Sequence, residues 1–482
     1  IPIVYMLESM SENQTNKIRQ ASFIQALLCF SGVIGIISIG LFLFEIDLHS
    51  LMFLCLTWAV CNAIYLGYSW QALREMMSAA ITRALPAIYI FLLIGMVIAS
   101  FMQCGTIAAL MYYGLNWLGP TSFLPIGLIL CAIMSVATGT SWGTVGTLGV
   151  VFIGIGSALG IPLPIVAGMV VCGATFGDKM SPISDTTNLA AMSAGTNLYR
   201  HIYSMMFTTA PSFLIAFFIF LFIGISHSEG GNFGFRILEI QQALLASYGL
   251  APIITLAPII LLAVLSIRKV AAEIAMSSSV LLALCIAIAY QGQSPVDVLN
   301  ALWINTPGNT GISSLDDLLG RGGIYSMSWT LMLALMALAL GGILHGSKLL
   351  DTLLAGLISR IQHVTGLIFS TIVTGFMGNI AMGEAYISII LSCQLFKAKY
   401  EQMELDEAIL SRSVEEGSTL TTGLIPWTTA GAFYAATLGV PVLEYAPYAF
   451  FNYMNAFISV GMAFLGIGLL GKSSQTPKNI PA

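Results

Sequence analysis

Charge is what this chain has least of. Lys, Arg, Asp and Glu make up 8% of its 482 residues, where soluble globular proteins carry about 25%. That shortage excludes an ordinary soluble domain. With a mean hydropathy of +0.90, it points to a chain that spends most of its length in lipid. No basic patch interleaved with aromatics is present, and a net charge of −5 offers no footing for nucleic acid, which is held by neutralising its phosphates. The eight cysteines (29, 55, 61, 104, 131, 172, 285, 393) form no CxxC pair. Standing singly in or beside apolar segments, they read as small buried hydrophobes. The five histidines (49, 201, 227, 345, 363) show no HExxH or other metal-ligand spacing and sit mainly at span ends or in loops. A signal peptide is not evident: residues 11–20 are polar, and 21–44 is too long for an h-region.

Long apolar runs are what the chain does have. Many approach or exceed the roughly 20 residues that a helix needs to cross a bilayer, so the expected fold is an all-α polytopic membrane protein. Ten crossings are predicted: 21–44, 51–70, 85–102, 161–194, 203–225, 244–266, 271–290, 327–344, 405–438 and 446–470. Those at 161–194 and 405–438 are interrupted by polar residues. Two further apolar pairs, 122–159 and 366–396, each hold two short arms around a Gly-rich tip. The arms look too short to cross, so they are expected to be re-entrant hairpins, preceded by interfacial segments at 106–118 and 348–361. The resulting layout is a cytoplasmic leader 1–20 (its first nine residues, ahead of Met10, given no structural role), two N-terminal spans 21–70, a first repeat 71–225, a linker with two connecting spans 226–325, a second repeat 326–470 and a cytoplasmic tail 471–482. With both termini in the cytoplasm, every Lys and Arg falls inside except Arg236 and Arg321, outside, and Lys179, in the membrane. That asymmetry follows the positive-inside rule.

The two repeats share an order of parts. Gly105 and Gly346 stand 241 apart, Gly143 and Gly383 240 apart, and Asp185 and Trp427 242 apart. The span count starts one unit inside and the other outside, which makes them inverted. Inverted repeats with paired broken helices place a binding site near the bilayer midplane.

The first interruption, Gly177 to Asn188, puts Asp178, Lys179 and Asp185 at bilayer depth. Ionisable groups there are costly and mark an ion or proton path. Asp178, Ser181, Ser184, Asp185, Thr186, Thr187 and Asn188 offer oxygens, and the first hairpin tip adds Thr138, Thr140, Ser141 and Thr144. Hard cations prefer such ligands. Pro182 removes a helix hydrogen bond and frees a carbonyl. Asp185 leads as the coupling carboxylate, with Ser141 and Thr186 completing a Na+ set. A carboxylate that takes a proton when no cation is bound makes the two compete, and competition with alternating access gives antiport. Asp185 also fits a simple N-cap. Asp178 and Lys179 read either as an ion pair stabilising the break or as charges that stand in for the ion. The second unit supplies Asn379, Glu384, Glu415, Glu416, Thr428 and Thr429. Glu415 and Glu416 point about 100° apart on a helix, so one can serve a site while the other pairs Arg412 at i,i+3 or i,i+4. A rival reading takes Gly177-Asp178 as the catalytic motif of an intramembrane aspartyl protease. Asp178 and Asp185, seven apart beside a proline, are poorly placed to form a facing dyad, and no other Asp lies at bilayer depth in this layout.

At these residues the chain resembles the NhaC family of sodium/proton antiporters. The resemblance rests on Gly177-Asp178-Lys179-Met180-Ser181-Pro182-Ile183-Ser184-Asp185-Thr186-Thr187-Asn188-Leu189, on Thr138-Gly139-Thr140-Ser141-Trp142-Gly143-Thr144 and on Leu424-Ile425-Pro426-Trp427. It implies exchange of Na+ for H+ across a bacterial inner membrane, with no cofactor and with Na+ as the transported ion. It further implies a homodimer in the lipid bilayer, built of a scaffold and a transport part with two hairpins that moves as an elevator. Two departures fall in the second unit. Glu415-Glu416 stands where the family tends to have Glu-Asp, and Pro426-Trp427-Thr428 where it has Pro-Trp-Asn. One branch of the family resembles malate/lactate exchangers coupled to Na+ and H+, so a small carboxylate is the alternative substrate. Thr, Asn and half-helix N-termini would supply its donors.

Overall fold

The computed structural model describes residues 18–117, 119–228, 233–268, 270–358 and 361–470. Nearly all of the expected leader and tail, and with them Lys17, Lys472 and Lys478, lie outside the described residues, as do Lys269 and Arg360. Among the described residues the regular structure is helical, and nine helices are long and apolar enough to cross a membrane. The protein is a polytopic all-α membrane protein. A bilayer core offers no water to backbone polar groups, and helices satisfy them internally.

The chain forms two compact units. In the smaller, Phe23–Phe42 packs on Leu48–Tyr65 and on Leu349–Ile358, with the Trp58 indole donating to the Cys29 carbonyl at 3.0 Å. The larger unit, formed by residues 85–334 and 361–470, holds the main apolar core and every residue singled out above for binding.

Several expected boundaries change. The hairpin arms are not short: Thr121–Thr138 and Ser141–Ala158 have 18 residues each, and Val364–Met382 and Ala385–Gln402 have 19 and 18. Gly, Ser and Thr lower the hydropathy of these arms without breaking the helices. The expected span 244–266 is instead divided among Phe233–Ser247, Pro252–Thr255 and Ala257–Ile267. Pro252 and Pro258 lack the amide protons that a continuous helix needs.

The two repeated stretches match at one constant offset, from Pro120 with Val364 to Gly195 with Gly439. Pro120–Thr138 and Val364–Met382 each end at a left-handed glycine, Gly139 (φ 69°) and Gly383 (φ 67°). Leu163–Met180 and Glu407–Gly417 begin in register. Asp185–Ala194 and Thr429–Leu438 are capped by Ser184 and Thr428 and end at left-handed Gly195 and Gly439. The offsets expected from the sequence fall short because they match Gly143 with Gly383 and Asp185 with Trp427. The register instead equates Gly139 with Gly383 and Asp185 with Thr429. Each broken helix lies against its own hairpin through a glycine: a Cβ on Gly173 would sit 2.5 Å from the Leu128 carbonyl oxygen, and one on Gly417 would overlap that of Ile372. The second half of each broken helix packs on the other stretch: Asp185–Ala194 on Ala385–Gln402 and Glu407–Gly417, and Thr429–Leu438 on the segment Ser141–Ala158.

Candidate functional site

The first break begins where Leu163–Met180 ends; Ser181 and Ser184 are extended and Pro182-Ile183 turn between them, the Ser184 amide donating to the Ser181 carbonyl at 3.2 Å, before Asp185–Ala194 starts. It meets the tip of the first hairpin, where Gly139 turns the chain and Thr140 caps Ser141, its hydroxyl accepting from the Gly143 amide at 3.3 Å. Between tip and break lies Asp178, 6% exposed. Ser141 donates to its Oδ2 and Ser184 to its Oδ1, both at 2.7 Å. Thr186 lies 3.1 Å from the Ser184 hydroxyl. Buried carboxylates require such partners. Of the two aspartates, Asp178 is the buried one, and the Ser141 hydroxyl donates to it and not to Asp185.

Asp185 is exposed and lines a cavity of about 610 Å³. Its Oδ1 accepts from the Thr186 amide at 2.8 Å, and its Oδ2 accepts from the Tyr386 hydroxyl of the second hairpin. It does not cap the half-helix. Ser184 does, at 3.5 Å from the Thr187 amide, and Asp185 is the first helical residue. A carboxylate there faces the positive end of the helix dipole. The cavity is also lined by Thr138, Thr140, Trp142, Pro182 and Asn188, and across from them by Leu85–Gln103 and the connecting helices. A second cavity, of about 440 Å³, takes in Ile98, Arg321, Tyr325 and Thr437.

The other oxygens of the first unit serve the backbone. Ser181 donates to the Val136 carbonyl at 2.7 Å, Thr138 to Met134 at 2.9 Å and Thr144 to Thr140 at 3.1 Å. Asn188 donates to the Pro182 and Ser184 carbonyls at 3.1 and 2.6 Å, so it satisfies the acceptors that the break releases. Thr187 reaches the Asp178 and Lys179 carbonyls and the Glu415 carboxylate at 3.2 to 3.4 Å.

At the second tip, Glu384 is buried and accepts from the Thr429 hydroxyl at 2.8 Å, while the Thr429 amide donates to the Gly383 carbonyl. Thr428 caps Thr429–Leu438, its hydroxyl also donating to the Ile425 carbonyl at 2.9 Å. Asn379 donates to the Ser418 carbonyl at 2.6 Å and leaves its own oxygen unpartnered.

A second group of charges is buried deeper. Lys179, Glu415 and Glu416 are each 0% exposed, and Arg412 is 1% exposed. Lys179 and Asp178 form no ion pair. Lys179 donates to Asn455 at 3.4 Å. Glu415 meets His201 at 3.2 Å, and the other ring nitrogen of His201 meets Ser411 at 2.7 Å. Glu416 accepts from Thr208 at 2.5 Å, and its second oxygen has no partner. The two glutamates thus turn to different neighbours, as their spacing demands. The pairing expected for Arg412 does not form. Its Nη1 donates to the Ser204 and Gly468 carbonyls at 3.3 and 3.0 Å, while Nε and Nη2 have no partner. His201, Thr208, Tyr386 and Asn455 escaped the sequence reading. A histidine at a span end and an amide inside the run 446–470 were the available signals. Tyr386 holds in the second stretch the position that Trp142 holds in the first.

No three His, Cys, Asp or Glu side chains gather to hold a metal ion among the described residues. What the site offers is single carboxylates amid hydroxyls, a set that suits a hard monovalent cation or a proton.

The sequence profile of the Na+/H+ antiporter family matches residues 173–467. The chain is 37% identical over 457 residues to the Na(+)/H(+) antiporter NhaC of Alkalihalophilus pseudofirmus, covering 94% of this chain and 97% of that one. It is 33% identical over 437 residues to the malate-2H(+)/Na(+)-lactate antiporter of Bacillus subtilis, covering 90% and 92%. It is 32% identical over 451 residues to the arginine/ornithine antiporter ArcD of Halobacterium salinarum, covering 93% of each.

Proposed function

The chain belongs to the Na+/H+ antiporter family, and from that premise we propose that it exchanges Na+ for H+ across a bacterial inner membrane by alternating access. The observation that carries this reading is Asp178, buried between Ser141 of the hairpin tip and Ser184 of the break. A carboxylate there has two ways to be stable: to hold a proton, or to hold a cation that the same hydroxyls help ligate. Asp185 on the cavity wall is the group that a cation meets first, and Glu384 with Thr429 is its counterpart at the second tip. The constant offset between the stretches and the reciprocal packing of the half-helices support two inverted repeats. The larger cavity reaches the loop at Val270–Ala271 beside Arg268, the side that charge asymmetry gives to the cytoplasm.

The experiment is Na+-induced dequenching of a pH-sensitive dye in everted vesicles. Wild type responds to Na+ alone. Asp178→Asn abolishes the response while folded protein stays in the membrane, and Asp185→Asn raises the Na+ needed for half-maximal response roughly tenfold or more, about 1.4 kcal/mol of lost attraction. A full response in Asp178→Asn sinks the assignment.

A second reading, exchange of a small organic acid, is favoured by one observation: about 610 Å³ is far more room than a bare Na+ fills. Against it, the described residues of the lining include Asp185 and no Lys or Arg, so a carboxylate would meet another there without a cationic partner among them. A response that requires added malate or lactate would favour this reading.

A further inference from the structure

We propose that the cavity at Asp185 binds small organic ammonium ions that carry an apolar group. This deepens the antiport reading only in making Na+ and the ammonium compete for Asp185; the binding itself does not depend on antiport.

Three observations carry the proposal. Volume is the first: about 610 Å³ lies within the range of pockets for small organic ligands and not of sites built around a bare ion. Charge is the second. Among the described residues of the lining Asp185 is the ionisable side chain, with no Lys or Arg beside it, and the residue is exposed. A cation gains a partner there, whereas an anion or a zwitterion brings a carboxylate that no described lining residue pairs by charge. The wall is the third. Ile90, Ile94, Val97, Leu262 and Met276 face the break across the cavity, and a hydrated inorganic ion gains nothing from them. An alkyl or aryl group does, at about 25 cal/mol per Å² of apolar surface removed from water. Trp142 belongs to the same lining. Its ring is held by stacking on Phe433, centroids 4.6 Å apart, and by an edge contact with Phe91. A fixed indole beside a carboxylate is a recognised setting for a quaternary ammonium, which the ring attracts through its quadrupole. The relevant ligand class is therefore a monovalent organic cation without a carboxylate.

The test uses phenyltrimethylammonium, which has no proton to lose and so cannot collapse a pH gradient as a permeant base. Its binding to the purified full chain in non-ionic detergent is measured by titration calorimetry, with phenylacetate as the anion of like size. Saturable binding is expected for phenyltrimethylammonium and not for phenylacetate. Asp185→Asn is expected to weaken it at least tenfold and Trp142→Leu by roughly tenfold. The same probe should raise the Na+ needed for dye dequenching in vesicles. No saturable binding in protein that still exchanges Na+ for H+ overturns this inference and leaves the antiport reading standing. Binding retained where Na+ exchange is absent does the reverse. Equal binding by wild type and Asp185→Asn, or equal binding of phenylacetate, also overturns it.

Discussion

A buried histidine carries more weight here than its place in the sequence suggests. His201 is fully buried and meets the Glu415 carboxylate with one ring nitrogen and the Ser411 hydroxyl with the other. Removing the ring leaves a carboxylate oxygen in a dry interior without its partner and opens a void the size of an imidazole. His201→Ala is therefore expected to cost about 3 kcal/mol of stability or more, read as a lower thermal midpoint of the purified protein. His201→Gln, which can still donate to Glu415, should recover part of the loss. A midpoint unchanged in His201→Ala would mean that the pair is solvated and not structural. Residues of this kind are hard to read from a sequence because their partner lies 214 positions away. Asp178, Asp185 and Glu384 were legible because a charge inside an apolar run has few innocent explanations. Which of the two aspartates is buried was not legible. Both flank the same proline, and only the tip of the hairpin, through Ser141, separates their roles. From the sequence, Arg412 reads as a partner for Glu415 or Glu416, yet the helix Glu407–Gly417 is buried from Ala408 to Gly417 and the Arg412 guanidinium instead reaches the Ser204 and Gly468 carbonyls.

Helices in this protein meet through glycines at equivalent places. Gly173 faces the Leu128 carbonyl, and Gly417 faces that of Ile372. Both the glycines and the carbonyls they face are matched pairs in the register of the two stretches. Neither glycine has room for a methyl group, and backbone on the far side has no rotamer with which to yield. Small residues are what let membrane helices approach this closely. Gly173→Ala and Gly417→Ala should each push a broken helix off its hairpin, at about 1–3 kcal/mol. Exchange should fall in both variants, because Asp178 and Thr429 are held by the tips that these contacts position. Measuring exchange and thermal midpoint together checks this. A loss of midpoint with unaltered exchange would detach the packing from the site. The element pattern was only partly visible in the sequence. Hydropathy shortened the hairpin arms because Gly and Thr are poor apolar residues, although they sit well in a packed membrane helix. The prolines at 252 and 258 divided what looked like one span. The matching of the two stretches was open in the sequence, because Gly-rich tips offer several glycines to match, and the left-handed backbone at Gly139 and Gly383 supports pairing those two.

At the scale of the larger unit, two cavities lie along one helix. The larger takes Ile90, Ile94 and Val97 of Leu85–Gln103, and the other takes Ile98 together with Arg321 and Thr437. The first takes residues of this helix as far as Val97 and the second takes the next residue, Ile98, so the two lie at neighbouring positions along its axis. The break carrying Asp185 opens into the first of them. The left-handed end of the matching half-helix, Gly439, borders the second, where the Arg321 guanidinium donates to the Leu438 carbonyl at 3.0 Å. The topology proposed from charge asymmetry puts Arg268 inside and Arg321 outside, and on that proposal the larger cavity faces the cytoplasm and the other the exterior. Alternating access then makes a directional prediction, tested in a background where the exposed Cys61 and Cys285 are replaced by serine. The thiol of a Ser266→Cys variant should react with a membrane-impermeant maleimide only from the cytoplasmic face. That of Thr437→Cys should react only from the exterior. Saturating Na+ should change both rates, and in opposite directions, because a carrier that opens on one side closes on the other. Reaction of both thiols from the same face would remove the inverted arrangement. Rates indifferent to Na+ would leave two static vestibules and no alternation between them.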